Sequence, residues 1–367
     1  MRRDSLRFRS RSERLAAPGR GPMRVAQETT VVHEAFSFRS RLLQRIVRLL
    51  FKPVLRLTPI NDRTFAVIRA LDALQEHRPR SPFVEASTGE LGGVRVESTE
   101  HRRGPDSDMT ILYLHGGGFF SGSLATHRRV CERLALTTGA RVVSVDYVQL
   151  PEGSIADSVQ DAITAYAALV DEVKHPDRIV VAGDSAGAYL VMKIAELADR
   201  RGLPAPAALI GFSPLLSVDP DRLDKPIVRV VRSRDAYLPV RRLATIRRRW
   251  LPDGSAIEGC TSPLDATAHI GSPTFLVAVE DEMLRPEVEA MALLLSERGV
   301  EVETHLWRKQ VHAFPVLVGL LPESDLAVQL AADFARRTVG ELDRAPMRDE
   351  HAHEEPLVGE IVPDPAA

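Results

Sequence analysis

The chain has 367 residues, with 48 Lys or Arg against 50 Asp or Glu, and a formal net charge of −2. This balance excludes a wholly basic nucleic-acid coat protein and a strongly acidic disordered protein, so we expect no nucleic-acid partner. Hydrophobic residues make up 44% of the chain and there are two cysteines, which favours a globular protein in a reducing compartment, and we expect it in the cytoplasm.

The first predicted segment, residues 1–35, is a disordered basic tail. Its first 24 residues contain eight arginines against two acidic residues, and no apolar run resembles the hydrophobic region of a signal peptide. Elsewhere no run approaches the ~18 apolar residues that a membrane-spanning helix needs. We therefore expect at most contact with a membrane surface.

Residues 36–80 are predicted to form an amphipathic helical cap segment, centred on residues 41–56. Basic side chains recur there three or four positions apart, and Pro53 is expected to bend or end the helix. One interpretation is a cap whose apolar stripe packs on the following domain; the other is a helix that lies on anionic lipid. The stripe consists of Leu42, Leu43, Ile46, Val47, Leu50 and Phe51.

Residues 81–340 alternate short β-branched runs with longer amphipathic ones, which favours a mostly parallel α/β sheet flanked by helices. The predicted strands are residues 109–114, 141–146, 178–182, 207–212, 274–279 and 300–306. The predicted helices are residues 126–137, 155–173, 186–201, 286–298 and 324–337. An insertion, residues 219–263, is expected to cover the carboxyl ends of the strands, and residues 341–367 are expected to be a disordered acidic tail.

A G-x-S-x-G motif occupies residues 183–187, between a predicted strand and a predicted helix. A nucleophile on such a tight turn needs small neighbours and exposes its hydroxyl above the sheet, which makes Ser185 the candidate nucleophile. The amide of Ala186, at the start of the helix, would point at an oxyanion formed there. The alternative is an ordinary turn in which Ser185 caps the helix.

Three glycines, residues 116–118, follow His115 at the end of another predicted strand. Unshielded amides in this loop are suited to stabilising negative charge beside Ser185, as acyl transfer requires. A phosphate-binding loop is excluded, because Ser123 and Leu124 stand where that motif needs Lys and Ser or Thr.

The candidate base is His312, which follows the last predicted strand and so fits the chain order nucleophile, acid, histidine. The acid is expected just after the strand at residues 274–279, where Glu280, Asp281 and Glu282 stand in a row. The residues alone do not choose among these three carboxylates. His351 and His353 lie in the acidic tail and are not expected to bind a metal.

Taken together, these motifs resemble the hormone-sensitive-lipase-like esterases, also called bacterial family IV, of the α/β-hydrolase fold. The likeness runs from about residue 110 to about residue 338 and rests on residues 115–118, 146–147, 151–152, 183–187 and 262–264, and on His312 with Phe314. It implies that Glu282 rather than Asp281 is the acid, and that Gly117, Gly118 and Ala186 are the oxyanion donors. It also implies that His115 braces the glycine loop.

The resulting hypothesis is a serine carboxylesterase with Ser185, Glu282 and His312 as catalytic triad and no metal or organic cofactor. The partner is a small-molecule ester, and the resemblance implies short- to medium-chain acyl groups. Phe119, Phe120 and Tyr189 are the candidate substrate-binding residues. The alternatives are a lactone hydrolase or amidase with the same triad, and a ligand-binding protein without catalysis.

Overall fold

The computed structural model describes residues 28–218, 235–238, 243–251 and 256–340. Within these residues nine strands form one sheet in the order β1-β9-β8-β7-β6-β4-β5-β3-β2. The strands are β1 Glu28–His33, β2 Val84–Leu91, β3 Val94–His101, β4 Thr110–Leu114, β5 Arg141–Val145, β6 Ile179–Asp184, β7 Ala208–Phe212, β8 Thr274–Val279 and β9 Val302–Trp307.

Neighbouring strands from β1 to β5 in this order are parallel, whereas β3 is antiparallel to both β5 and β2. The central strands β4, β6, β7 and β8 are buried along their whole length, as continuous apolar runs require. Because successive side chains point to opposite faces, Ile111 and Tyr113 join one core cluster and Leu112 and Leu114 the other.

Helices cover both faces of the sheet. They are α1 Phe38–Ile46, α2 Lys52–Leu57, α3 Asp62–Ala73, α4 Arg128–Thr138, α5 Ile155–Glu172, α6 Ser185–Arg201, α7 Leu243–Trp250, α8 Arg285–Glu297 and α9 Pro322–Thr338. Buried residues of α5, α6 and α8 belong to one core cluster, and those of α4 and α9 to the other. The predicted fold class, a mostly parallel sheet flanked by helices, is confirmed. Among the described helices, none combines the length and apolarity needed to cross a bilayer.

The antiparallel hairpin of β2 and β3 was not among the predicted strands. Its residues are rich in Glu, Ser and Thr, so the apolar alternation is faint. The signal that marks it is the turn: Gly92 and Gly93, with φ of 60° and 84°, join the two strands directly. Two consecutive positive φ values are what a two-residue hairpin turn of this hand requires.

The prediction of a disordered tail over residues 1–35 is wrong at its end, because β1 pairs in parallel with β9. The β-branched run from Thr29 to Val32 suits a strand. Its last residue, His33, stacks on Trp307 with ring centroids 3.7 Å apart. Residues 1–27 and 341–367, and most of the predicted insertion, lie outside the described residues.

The cap segment also differs from its prediction. The helix continues through Pro53 to Leu57, and a π-helical turn, Val47–Phe51, stands between α1 and α2. A proline removes one N–H and pushes on the carbonyl four residues earlier, so the backbone widens at that turn. Of the predicted apolar stripe, Val47 is buried, whereas Leu42, Ile46, Leu50 and Phe51 are exposed. The packing interpretation is therefore wrong for most of the stripe.

Candidate active site

Ser185 lies at the sharp turn where β6 passes into α6. Its φ of 49° is in the left-handed region, which is strained for a residue with a side chain. A Cβ at Gly183 or Gly187 would come within 2.6 Å or 2.0 Å of the Leu114 carbonyl oxygen. Glycine at both positions therefore lets the turn press against β4 and hold the serine at the end of the sheet.

The structure brings Ser185, His312 and Glu282 together. His312 Nε2 lies 2.8 Å from Ser185 Oγ, and His312 Nδ1 lies 2.9 Å from Glu282 Oε2. The other oxygen of Glu282 accepts a hydrogen bond of 2.9 Å from the Val279 amide, so the carboxylate is fixed at the end of β8. Asp281 points elsewhere and lies 3.8 Å from the Lys309 ammonium.

The electrostatics favour the charged form of this histidine. Burial by itself would lower the pKa of His312, but the hydrogen bond and the charge of Glu282, together with the charges of Asp235 and Asp184, raise the pKa above its usual 6.5. An imidazolium at this position is therefore stabilised.

The loop that carries His312 is held by a residue that no sequence motif marks. Ser213 Oγ accepts a hydrogen bond of 3.1 Å from the Ala313 amide, and both residues have positive φ, 47° and 54°. The only sequence signal is position, since Ser213 directly follows β7 at the same edge of the sheet as Ser185.

Asp235, inside the predicted insertion, is a second unpredicted residue beside the histidine. Its carboxylate is buried and accepts hydrogen bonds from three amides, those of Tyr237, Leu238 and Met283, at 2.7–2.9 Å. The ring of Tyr237 stacks on His312 with centroids 5.9 Å apart. Asp235 thus joins the insertion to the turn after β8 that carries Glu282.

We expect Asp235→Asn to lower the free energy of unfolding by about 1–3 kcal/mol, because an amide group would face the Met283 donor and leave it unpaired. The pKa of His312 should fall as well, because the Asp235 charge helps to raise it. Urea denaturation and an NMR titration of the His312 ring measure the two effects. Unchanged stability would show that this contact is dispensable.

The glycine loop after β4 presents unpaired amides beside the serine. Gly117 and Gly118 have φ of 124° and 65°, and a Cβ at Gly117 would lie 1.9 Å from the Ser121 carbonyl oxygen. In the part of the chain that the structure describes, no acceptor receives a hydrogen bond from either amide. The amide of Ala186, in the first turn of α6, has no partner within the helix.

Two buried histidines, His115 and His127, support the glycine loop. His115 is fully buried, its Nδ1 lies 2.9 Å from the Gly116 carbonyl oxygen, and its ring stacks on Tyr147. Burial, with the nearby His127, lowers the pKa of His115 to about 4, so the ring is neutral and Nδ1 donates. The neutral, buried His115 therefore braces the glycine loop, as the resemblance implied.

Asp184, next to Ser185, ties the loop to the nucleophile turn. Its Oδ1 accepts from Tyr113 Oη and from the Gly116 amide, both at 2.9 Å, and lies 3.3 Å from His127 Nε2. Burial by itself would raise the pKa of Asp184, but His127 and these donors lower it overall. A charged Asp184 therefore fixes the first glycine of the loop.

The three aromatic residues predicted to bind substrate have different environments. Phe119 and Tyr189 are fully buried and pack edge to face, with centroids 5.8 Å apart. Tyr189 Oη donates to the Thr261 carbonyl at 2.9 Å, so the prediction is corrected for these two residues, which serve packing. Phe120 keeps exposed surface and stacks on Phe65 of α3 at 4.9 Å.

The described residues contain no group of three or more His, Cys, Asp or Glu side chains arranged to hold a metal ion. His351 and His353 lie outside the described residues.

A contact that the sequence did not predict is that of Trp250 of α7, whose Nε1 donates to the Gly118 carbonyl at 2.8 Å. The insertion therefore braces the glycine loop as well as the histidine.

Comparisons with known proteins agree with this architecture. A family described by the alpha/beta hydrolase fold matches residues 111–316. The chain is 32% identical to the esterase LipU of Mycobacterium tuberculosis over 241 residues, covering 63% of this chain and 78% of that protein. It is 30% identical to an acetyl-hydrolase of Streptomyces hygroscopicus over 236 residues, covering 63% and 77%.

The fold also matches solved structures. A crystal structure of an esterase from the bacterial hormone-sensitive lipase family aligns with a TM-score of 0.72 and 25% identity, covering 83% of this chain and all of that one. These findings confirm the resemblance inferred from the motifs. The chain belongs to the α/β hydrolase family, is similar to its hormone-sensitive-lipase esterases, and is an enzyme that hydrolyses carboxylic esters.

Proposed function

We propose that the chain is a serine carboxylesterase that works through an acyl-enzyme intermediate, with Ser185 as nucleophile, His312 as base and Glu282 as the acid that orients it. The observation that carries this proposal is the unbroken chain of contacts, 2.8 Å from Ser185 Oγ to His312 Nε2 and 2.9 Å from His312 Nδ1 to Glu282 Oε2. Nucleophile, base and orienting group in this geometry are what acyl transfer needs.

In the first half of the reaction, Ser185 Oγ attacks the ester carbonyl while His312 Nε2 takes its proton. Glu282 stabilises the imidazolium, consistent with the raised pKa of His312. The amides of Gly117, Gly118 and Ala186 donate to the oxyanion, each worth roughly 3–4 kcal/mol in comparable sites. His312 then protonates the departing alcohol, and the acyl group stays on Ser185.

In the second half, a water molecule replaces the alcohol. His312 takes a proton from this water, the hydroxide attacks the acyl carbonyl, and the same three amides stabilise the second oxyanion. The proton returns to Ser185 Oγ as the carboxylic acid leaves. No step needs a metal or an organic cofactor.

For the substrate, we propose small-molecule esters with short- to medium-chain acyl groups. One relative supports the short end of this range by name, an acetyl-hydrolase of Streptomyces hygroscopicus. Phe120, with its partly exposed ring beside the glycine loop, is the aromatic residue placed to meet an acyl chain.

A series of p-nitrophenyl esters, from acetate to palmitate, tests the substrate proposal, with the matched anilide and a lactone beside it. We expect kcat/KM to be highest among the short and medium esters and lower for the anilide, which has a poorer leaving group. A preference for the anilide or the lactone would replace the esterase proposal by the amidase or lactone-hydrolase alternative. No turnover of any of them would favour ligand binding without catalysis.

A further inference from the structure

The exposed part of the cap segment carries apolar side chains along its whole length. Residues 38–57 run as one continuous helical segment through α1, the π-helical turn and α2. Eight of its large apolar side chains are between 37% and 80% exposed, so every turn of the segment presents apolar surface. They are Phe38, Leu42, Ile46, Leu49, Leu50, Phe51, Val54 and Leu57.

The charge on this segment has one sign. Residues 36–60 contain six basic residues and no Asp or Glu. Arg39, Arg45, Arg48 and Arg56 are exposed between the apolar side chains. Residues 1–24 add eight arginines against two acidic residues. An occupant of this face must therefore be apolar and negatively charged at once.

This requirement selects among the occupants. A second copy of the segment would bring arginines against arginines, and the basic tail of the same chain carries the same sign. An anionic bilayer offers acyl chains for the apolar side chains and phosphates for the arginines. We propose that residues 38–57 are a docking surface for anionic phospholipid membranes.

The inward face of the same segment is fixed to the body of the protein. Val47 is buried in a core cluster, and Ser40 Oγ donates to Glu323 at 2.7 Å. Lys52 Nζ donates to the Asp235 carbonyl, next to the residues that contact His312. These contacts hold the exposed face in a fixed position on the protein. Docking through it therefore brings the ester-hydrolysing site close to the lipid surface.

Co-sedimentation of the full chain with phosphatidylcholine vesicles, with and without phosphatidylglycerol, tests this proposal. We expect wild type to bind the anionic vesicles. Leu49→Glu with Leu50→Glu should weaken that binding by about tenfold or more, because two apolar side chains leave the interface and two negative charges enter it. The matched control is Leu293→Glu with Leu320→Glu, two exposed leucines (50% and 53%) on α8 and in the turn before α9.

A second pair of variants tests the charge. Arg39→Glu with Arg45→Glu should weaken binding to anionic vesicles by roughly tenfold or more, since each basic residue near such a surface contributes about 1 kcal/mol. The control is Lys174→Glu with Arg298→Glu, which make the same charge change at exposed positions elsewhere. High salt should weaken wild-type binding in the same direction.

Hydrolysis of a soluble acetate ester by every variant shows that the catalytic centre is intact, so loss of vesicle binding is read separately from loss of activity. Three results would overturn the proposal. The first is that wild type does not bind anionic vesicles. The second is that the control pairs lose as much binding as the cap variants. The third is a lipid-independent dimer, seen by sedimentation velocity, that Leu49→Glu with Leu50→Glu dissociates.

Discussion

Ser185→Ala is expected to lower kcat for p-nitrophenyl butyrate by about 10⁴-fold or more. In the proposed mechanism the Ser185 hydroxyl, 2.8 Å from His312 Nε2, forms the bond to the acyl carbon, and no other part of the proposed site can replace it. Initial rates at saturating substrate measure the loss. Circular dichroism should show an unchanged fold, because the strained turn depends on the glycines around it.

Ser296→Ala is the matched control, since this serine lies on α8 and its hydroxyl donates to the Leu293 carbonyl of the same helix. It should keep wild-type activity. If Ser185→Ala retained more than about a tenth of the wild-type rate, another residue would be the nucleophile and the proposed mechanism would be wrong.

Glu282→Gln is the second substitution with a large expected effect, a fall in kcat of about 10³–10⁴-fold. A neutral amide no longer stabilises the imidazolium and can hold the ring in the wrong tautomer. The control is the neighbouring Asp281→Asn, which removes a carboxylate that lies beside Lys309 rather than His312. A larger loss in Asp281→Asn would show that Asp281 is the acid and would contradict the assignment to Glu282.

The pH profile separates an electrostatic role of Glu282 from a merely structural one. Because we propose neutral His312 as the base, kcat/KM should fall as the pH drops through the pKa of His312, with a midpoint above 6.5 because that pKa is raised. In Glu282→Gln the raising contribution is lost while burial remains, so the midpoint should move to lower pH. An unmoved midpoint would contradict the assigned role.

Much of the site could be predicted because its residues follow strands. The carboxyl ends of parallel strands meet at one edge, so a serine after β6, a carboxylate after β8 and a histidine after β9 converge there whatever their distance in the chain. The choice among Glu280, Asp281 and Glu282 is different. It depends on which carboxylate the turn folds back toward the Val279 amide, and residue type does not encode that.

The unpredicted parts depend on contacts between distant segments. β1 is a short strand whose partner, β9, lies more than 270 residues away, so no hairpin or crossover pattern marks it. Asp235 stands in a polar stretch where nothing local distinguishes a buried carboxylate from an exposed one. Amphipathicity identified the cap helix correctly, but hydrophobic spacing alone does not say which side faces the protein.

Substrate contacts were also predicted wrongly from sequence, as the burial of Phe119 and Tyr189 shows. Both stand beside the chemistry in sequence, one after the glycine loop and one after the nucleophile turn. Each is nevertheless used for packing, and through Trp250 and Thr261 they connect the loop to the insertion. Proximity in sequence to a catalytic group therefore does not by itself indicate contact with substrate.

The central claim is that Ser185 carries the acyl group during turnover, and trapping the covalent intermediate tests it most directly. The enzyme is mixed with p-nitrophenyl butyrate, quenched in acid during steady state, digested and analysed by peptide mass spectrometry. The mechanism predicts a butyryl group on the peptide that contains Ser185 and none on that peptide in Ser185→Ala. A butyryl group on another residue that turns over at the rate of catalysis would contradict it.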